Sequence, residues 1–258
     1  MFTSIQEQQL RALISRSLDQ AERHWRDGGY QLVAKATFDS LIFNEAIRSE
    51  RSNIPGHQDV REGETVIDEF VAFVADMRDS TKHLMCEISS KISSVSTLQR
   101  VFYETSALLP AIALTVSFEE GSVTEYLGDG VLALFKVDKN KREASIYSAH
   151  AAARNVVGPM RDILNEILFE RYKLPDIDLG VGLAFSKAIV SLIGLPSSRH
   201  PKVFGECVYR ATKLSSGRNE IYVDTQVRCI WPTAKGGVIV FSKKNLKGVD
   251  GHLVGRSA

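Results

Sequence analysis

Cysteine is scarce in this chain: Cys86, Cys207 and Cys229 are the whole set, with no Cys-x-x-Cys pair. An odd, dispersed set argues against a disulfide framework and against a zinc site, and leaves buried or incidental thiols. The histidines (His24, His57, His83, His150, His200 and His252) include no close-spaced pair, so a zinc hydrolase lacks its ligands. Net charge is almost absent. The 32 Lys and Arg balance 31 Asp and Glu to leave +1, which gives no global electrostatic reason to bind nucleic acid or an anionic membrane. Any anionic ligand must be held by a local site. No apolar run approaches the roughly 18 residues of a membrane span, and the start, MFTSIQEQQLR, has no apolar h-region. No stable membrane insertion and a cytoplasmic location are therefore expected. The common nucleotide loops are missing too: there is no G-x-x-x-x-G-K-[ST], no G-x-G-x-x-G opening a helix and no G-x-S-x-G elbow.

What is present is ordinary globular composition, 44% apolar and 24% charged. That suits one large domain, or a domain of common size with an extension. Ile5, Leu10, Leu13, Ile14, Leu18, Ala21 and Trp25 fall at helical spacing before a Gly28-Gly29 stop. A second helical segment is expected over 32–47, and Ser52-Asn53-Ile54-Pro55-Gly56 reads as a linker or loop. The result is a helical N-terminal arm over 1–62, packed on its own domain or at a subunit interface. From there to 258 the pattern is α+β. Residues 67–75 are a nearly continuous apolar run, typical of a strand covered on both faces, ending at Asp76. A helix is expected over 84–103, with Pro110 beyond it; then strand, Gly128-Asp129-Gly130 turn and strand over 122–137; then a helix over 143–168. Strands at 178–186 and 188–193 and a short helix at 206–214 follow. This order resembles a ferredoxin-like split βαβ sheet with helices packed on it, on one face.

Two carboxylates stand at strand ends, Asp76 at the exit of the apolar strand and Asp129 in the two-glycine turn. In a βαββ arrangement the first strand and the hairpin are neighbours, so the two can converge. Hard divalent cations take oxygen ligands and commonly bind through one or two carboxylates plus substrate phosphates. By itself, Gly-Asp-Gly is also what a plain turn requires.

The segment FVADMRDST at 73–81 resembles the "F-x-x-D-[ILM]-x-x-[FS]-T" motif of class III nucleotide cyclases, and YLGDGVLALF at 126–135 is similar to their second metal motif. LGVG at 179–182, IG at 193–194, VFGECVYRATKL at 203–214 and LKGVDG at 246–251 follow the family's further motifs in order. The resemblance, over about 66–255, implies a class III cyclase fold, with a catalytic domain over 63–258. It also implies homodimers whose active sites are shared between subunits, one subunit supplying the metal carboxylates and the other the base-reading and transition-state residues. Carried over by position, Asp76 and Asp129 hold two Mg²⁺ or Mn²⁺ ions, with the Met77 carbonyl as an extra ligand. Lys247 matches the triphosphate lysine, Thr81 belongs to the substrate-binding segment, and Arg199 either assists there or is an ordinary solvated arginine.

The chain departs from the family pattern at informative places. Tyr209 stands where cyclases carry the transition-state asparagine, and Lys213 where they carry arginine. A lysine still neutralises developing phosphate charge, as a point charge without the arginine fork. Each also has a plain reading, Tyr209 as core packing and Lys213 as a surface lysine. The base-reading positions are Glu125 and Lys202. A carboxylate accepts from a ring N–H and an ammonium donates to a carbonyl, a pair that suits uracil or guanine and not adenine. Tyr209 is bulkier than asparagine, which favours a pyrimidine. The chain thus resembles the bacterial uridylate cyclases of the Pycsar antiphage systems, forming cyclic UMP from UTP. A guanylate or adenylate cyclase, and a catalytically silent cyclase-like dimerisation module, are the alternatives.

Overall fold

A computed structural model of the chain describes residues 1–27, 49–85, 93, 95–195, 197–232 and 236–256. In chain order its first elements are α1 (Ser4–Arg26), β1 (Ser49–Ile54), β2 (His57–Arg61), β3 (Val66–Met77), α2 (Ser80–Met85), α3 (Thr97–Ser117), β4 (Ser122–Tyr126) and β5 (Gly130–Lys136). Next come α4 (Arg142–Asn155), a π-helical segment (Val156–Met160), α5 (Arg161–Tyr172), β6 (Leu179–Leu195) and β7 (Ser198–Gly205). The chain continues through α6 (Glu206–Leu214), β8 (Glu220–Asp224), α7 (Thr225–Ile230), β9 (Ile239–Leu246) and β10 (Val249–Arg256). The helical segment expected over 32–47 lies outside the described residues, as does Cys86. Cys207 is buried and Cys229 exposed, both as free thiols.

The apolar run at the start of the domain becomes β3, and its alternation builds two cores. Val71, Phe73, Ala75 and Met77 face one way, toward α1, α3, α4 and α5, while Phe70, Ala72 and Val74 face the other. All of these side chains are essentially inaccessible to solvent, which is why the run lacks the polar alternation of a half-exposed strand. The main sheet runs β4-β5-β3-β6-β8-β10-β9, and β7 pairs with the distal half of β6. β3 is antiparallel to both β5 and β6, with Asp76 opposite Gly130 on one side and Gly180 on the other. β6 and β8 run parallel.

Leu10, Ile14, Leu18 and Ala21 bury the apolar stripe of α1 in the first core, so this helix packs on its own domain. A capping box between Thr3 and Gln6 starts it. Among the described residues, no helix is long and apolar enough to cross a membrane.

Several expectations needed correction. Of the 52–56 stretch only Pro55-Gly56 is loop, the rest being strand, and 49–61 is not helical: Pro55-Gly56, with Gly56 at φ +79°, turns β1 into β2 as Pro-Gly does at the centre of a type II turn. This hairpin buries Ile54 and Val60 against the second face of the sheet. The helix expected over 84–103 is displaced. α3 starts at Thr97 behind the Ser96–Gln99 capping box and continues through Pro110 to Ser117. An interior proline costs about 3 kcal/mol; burial of Ala107, Leu108, Ala111, Ile112 and Val116 around it offsets that. The helix expected over 143–168 is interrupted at Gly158-Pro159, where Gly158 leaves helical geometry (φ −113°, ψ −109°). The strands expected at 178–186 and 188–193 are one 17-residue strand, because Lys187 stays in the ladder opposite Glu69. Finally, the helices do not share one face. α6 lies on the second, burying Cys207 and Ala211 with Phe70 and Val74. Its boundaries, and those of the β4–β5 pair, agree with the sequence reading.

Candidate active site

Asp76 and Asp129 come together at one end of the sheet. Asp76 opposes Gly130 in the β3–β5 ladder, and the Met77 N–H donates to the Asp129 carbonyl at 3.2 Å. Gly130 has no substitute here: a Cβ would sit 2.3 Å from the Ala75 carbonyl oxygen and 3.1 Å from Asp76 Oδ1. Burial raises the Asp76 carboxyl above its usual range, and the neighbouring Asp129 raises it further; Arg78 and Lys247 oppose both. Two neighbouring, half-buried carboxylates at adjacent strand ends form an oxygen-donor set suited to a hard divalent cation. Among the described residues no group of three or more His, Cys, Asp or Glu side chains assembles. Any cation at Asp76 and Asp129 would therefore draw its remaining oxygens from backbone, water or substrate.

Lys247 lies in the tight turn between β9 and β10, at φ +49°, exposed and near enough to Asp76 for its charge to be felt there. Met77 buries its side chain in the first core, so only its backbone is available to a ligand. Thr81 is exposed in the first turn of α2, beyond the loop that follows β3.

Arg78, inside the first motif, gains no role from sequence but has one in the fold. Its Nη2 donates to Asp76 Oδ2 at 3.0 Å and its Nη1 to the Ser215 carbonyl at 2.7 Å. Around it, Arg218 bridges Asp79 and Asp178, and Asn219 Nδ2 donates to Asp178 Oδ1 at 2.6 Å while its Oδ1 accepts from the Leu179 N–H at 3.0 Å. The loop after β3, the entry to β6 and the α6–β8 connection are thus laced together. Only the presence of arginines near the carboxylates was readable in sequence; their partners come from segments far along the chain.

Glu125 on β4 and Lys202 on β7 form a direct ion pair, Oε2 to Nζ 2.6 Å, with side chains about one-third exposed. Thr124, Pro201 and Lys202 also line a cavity of about 310 Å³ whose other wall is Arg51, Ser52, Asn53 and Ile54 of β1. Arg199, nearer the tip of the β6–β7 hairpin, pairs with Glu62 at 2.7 Å, a partner the sequence did not suggest. It is not a freely solvated arginine. Tyr209 is 61% exposed on α6, which removes the core-packing reading, and Lys213 Nζ sits 5.4 Å from the centre of its ring. The site candidates therefore form three groups: the carboxylates with Lys247 and Arg78, the Glu125–Lys202 pair, and the Tyr209–Lys213 pair.

No protein-family model matches the sequence, and no curated protein does. Solved structures do match the fold. The guanylyl cyclase Cya2 superposes with a TM-score of 0.60 at 16% identity, over 75% of this chain and 94% of that one. The adenylyl cyclase CyaB from P. aeruginosa gives 0.56 at 18% identity over 76% and 97%. A bacterial light-regulated adenylyl cyclase gives 0.55 at 14% identity, over 74% of this chain and 51% of that one. The α+β fold described above is that of class III cyclase domains.

Proposed function

We propose that this chain is a nucleotide cyclase that converts UTP to 3′,5′-cyclic UMP and pyrophosphate, as a homodimer with shared sites. The observation that carries the reading is the convergence of Asp76 and Asp129 at adjacent strand ends, under the influence of Lys247, in a fold shared with adenylyl and guanylyl cyclases.

The overall reaction forms a bond between the ribose O3′ and the α-phosphorus, breaks the bond from that phosphorus to the bridging oxygen, and releases the hydroxyl proton with pyrophosphate. Asp76 and Asp129, with the Met77 carbonyl, would hold two Mg²⁺ or Mn²⁺ ions, which supply Lewis acidity to the hydroxyl and to the phosphates. Lys247 neutralises the triphosphate, with Thr81 beside it and Arg199 as a further cation. Tyr209 and Lys213, contributed by the second subunit, face the ribose and the reacting phosphate; Lys213 offsets the charge that develops as the leaving oxygen separates.

Glu125 accepts the uracil N3–H and Lys202 donates to a neighbouring carbonyl once the base enters between them. Their mutual pairing in the free chain keeps both charges satisfied until then. This polarity, with the bulk of Tyr209, supports the uridylate reading and the likeness to cyclases that generate the signal in antiphage defence. GTP offers a similar N–H and C=O pair and is the second candidate.

The test is incubation of the purified protein with Mn²⁺ and each of the four ribonucleoside triphosphates, with the products identified by mass spectrometry. Cyclic UMP as the fastest product supports the full reading. Cyclic GMP or cyclic AMP as the fastest overturns the base assignment alone, and no cyclic product from any triphosphate overturns the enzyme assignment.

A further inference from the structure

Arg78 is a planar fork with two different clients. One arm holds the first metal-site carboxylate, Nη2 to Asp76 Oδ2 at 3.0 Å; the other holds the Ser215 carbonyl, Nη1 to O at 2.7 Å. Ser215 is the C-cap of α6, the helix that carries Tyr209 and Lys213, and it is buried. We infer that Arg78 is a positioning residue that couples cation occupancy at Asp76 to the placement of α6. The inference rests on the reading of Asp76 and Asp129 as a cation site.

The surroundings make such a link mechanically direct. α6 lies flat on β6 because Gly180 and Gly182 have no side chains: a Cβ on Gly180 would stand 2.1 Å from the Ser215 carbonyl oxygen, and one on Gly182 would stand 2.1 Å from that of Ala211. Packing this close leaves little slack between the C-terminal turn of the helix and the sheet. The connection beyond Ser215 is already tied down by Arg218 on Asp79 and Asp178, and by Asn219 on Asp178 and Leu179. What Arg78 holds is therefore the end of the helix itself. A guanidinium so placed is a counter-ion to Asp76 in the metal-free chain, with its side chain only 15% exposed. A divalent cation on the same carboxylate competes with that guanidinium and repels it. The other arm is bonded to Ser215, so the displacement reaches α6. If the dimer shares its sites, the carboxylates and α6 of one chain serve different sites, and Arg78 links the two within one subunit.

The experiment uses Mn²⁺ alone as the probe, on the full chain without nucleotide, so it is independent of turnover. Mn²⁺ binding is followed by electron paramagnetic resonance and the amide hydrogen exchange of residues 206–219 by mass spectrometry. In the wild type, saturating Mn²⁺ is expected to change exchange in 206–219 at least threefold, and Asp129→Ala to abolish that change. In Arg78→Gln, Mn²⁺ still binds while exchange in 206–219 no longer responds. Should Arg78→Gln fail to fold, Arg78→Lys replaces it: one ammonium does not reproduce the two-armed geometry, and the same loss of response is expected. An undiminished response in a folded, Mn²⁺-binding Arg78 variant overturns the coupling, as does a wild type that binds Mn²⁺ with no change in 206–219. Absence of any Asp129-dependent Mn²⁺ binding instead removes the cation site, and with it the proposed function and this inference together.

Discussion

Lys202 Nζ stands 2.6 Å from Glu125 Oε2, although β4 and β7 are not neighbours in the sheet. The contact is possible because the distal half of β6 carries β7 around to the face occupied by the β1–β2 hairpin, beside β4. A pair this exposed contributes at most about 1 kcal/mol to stability. Folding alone is a weak reason for its presence, whereas a site that receives a base with adjacent N–H and C=O groups needs this polarity.

The pair is therefore expected to matter more for substrate than for stability. Glu125→Ala should lower kcat/KM for UTP by about 5- to 150-fold, the equivalent of losing one buried polar partner at about 1–3 kcal/mol, and leave the melting temperature nearly unchanged. Glu125→Lys combined with Lys202→Asp should move preference toward ATP, with Tyr209→Asn added to admit a purine. Product ratios from equimolar triphosphates and a thermal melt check both halves.

At the Asp76–Asp129 pair the two effects of a substitution should run in opposite directions. Asp129→Asn is expected to abolish cyclisation, because one carboxylate of the cation site is gone. The metal-free variant should nonetheless melt at a higher temperature than the wild type, since the repulsion that helps raise the Asp76 carboxyl is relieved while the Arg78–Asp76 bond is kept. Calorimetry in the presence of a chelator, beside the turnover assay, reads both. Metal-dependent turnover that survives the change would sink the site assignment.

If the sites are shared between subunits as proposed, a complementation test is available. Mixing Asp129→Ala chains with Lys213→Ala chains should restore activity in the heterodimer, where one of the two composite sites keeps both sets of residues. Verified heterodimers with no recovery would count against sharing.

How much of this was legible depended on whether a signal was local. The β3 run, the Gly128-Asp129-Gly130 turn and α6 each declare themselves within a dozen residues, by apolar continuity, by paired glycines and by helical spacing. The β1–β2 hairpin is not legible in sequence because SERSNI and HQDVR are too polar to read as strands, although Pro55-Gly56 marks their turn. The break at Gly158-Pro159 carries a signal of its own, a glycine followed by a proline inside a helical pattern. Lys187 concealed the continuity of β6, since a charge inside an apolar strand looks like an interruption until Glu69 is seen opposite it. At the candidate site, the two carboxylates that the fold brings together, Asp76 and Asp129, were readable from short motifs. The arginine fork at Ser215, the Arg199–Glu62 pair and the contact between Glu125 and Lys202 were not, because each joins segments that only the fold brings together.

Close packing of α6 on β6 leads to a prediction that does not touch any charged group. Gly182→Ala places a methyl group 2.1 Å from the Ala211 carbonyl oxygen, a backbone atom that cannot rotate away. Overpacking of this kind costs about 1–3 kcal/mol and should push α6 outward. The expected result is a lower melting temperature with far-ultraviolet circular dichroism preserved, and a fall in turnover greater than the loss of stability explains.

Acid stability should depend on a residue remote from the carboxylates. His150 on α4 is buried, with its ring 4.8 Å from that of Trp231 in an edge-on contact. Burial, helped by the charges of Arg154 and Arg256, holds its pKa down to about 4, against 6.5 when free. A folded-state value below the unfolded one means that the unfolded chain takes up the proton first. The neutral imidazole's contribution is therefore complete above pH 6.5 and is lost as pH falls from there toward 4. A depression of this size corresponds to roughly 3 kcal/mol at 1.36 kcal/mol per unit. His252 is also held below its usual range, first by burial and then by Arg228 and Lys243, and it adds a slope of the same sign. His150→Phe removes the larger titration while keeping an aromatic edge against Trp231. Urea unfolding of both proteins at intervals between pH 4 and 7 should show the wild type losing stability faster toward acid. Parallel curves would mean that His150 takes up its proton as readily folded as unfolded.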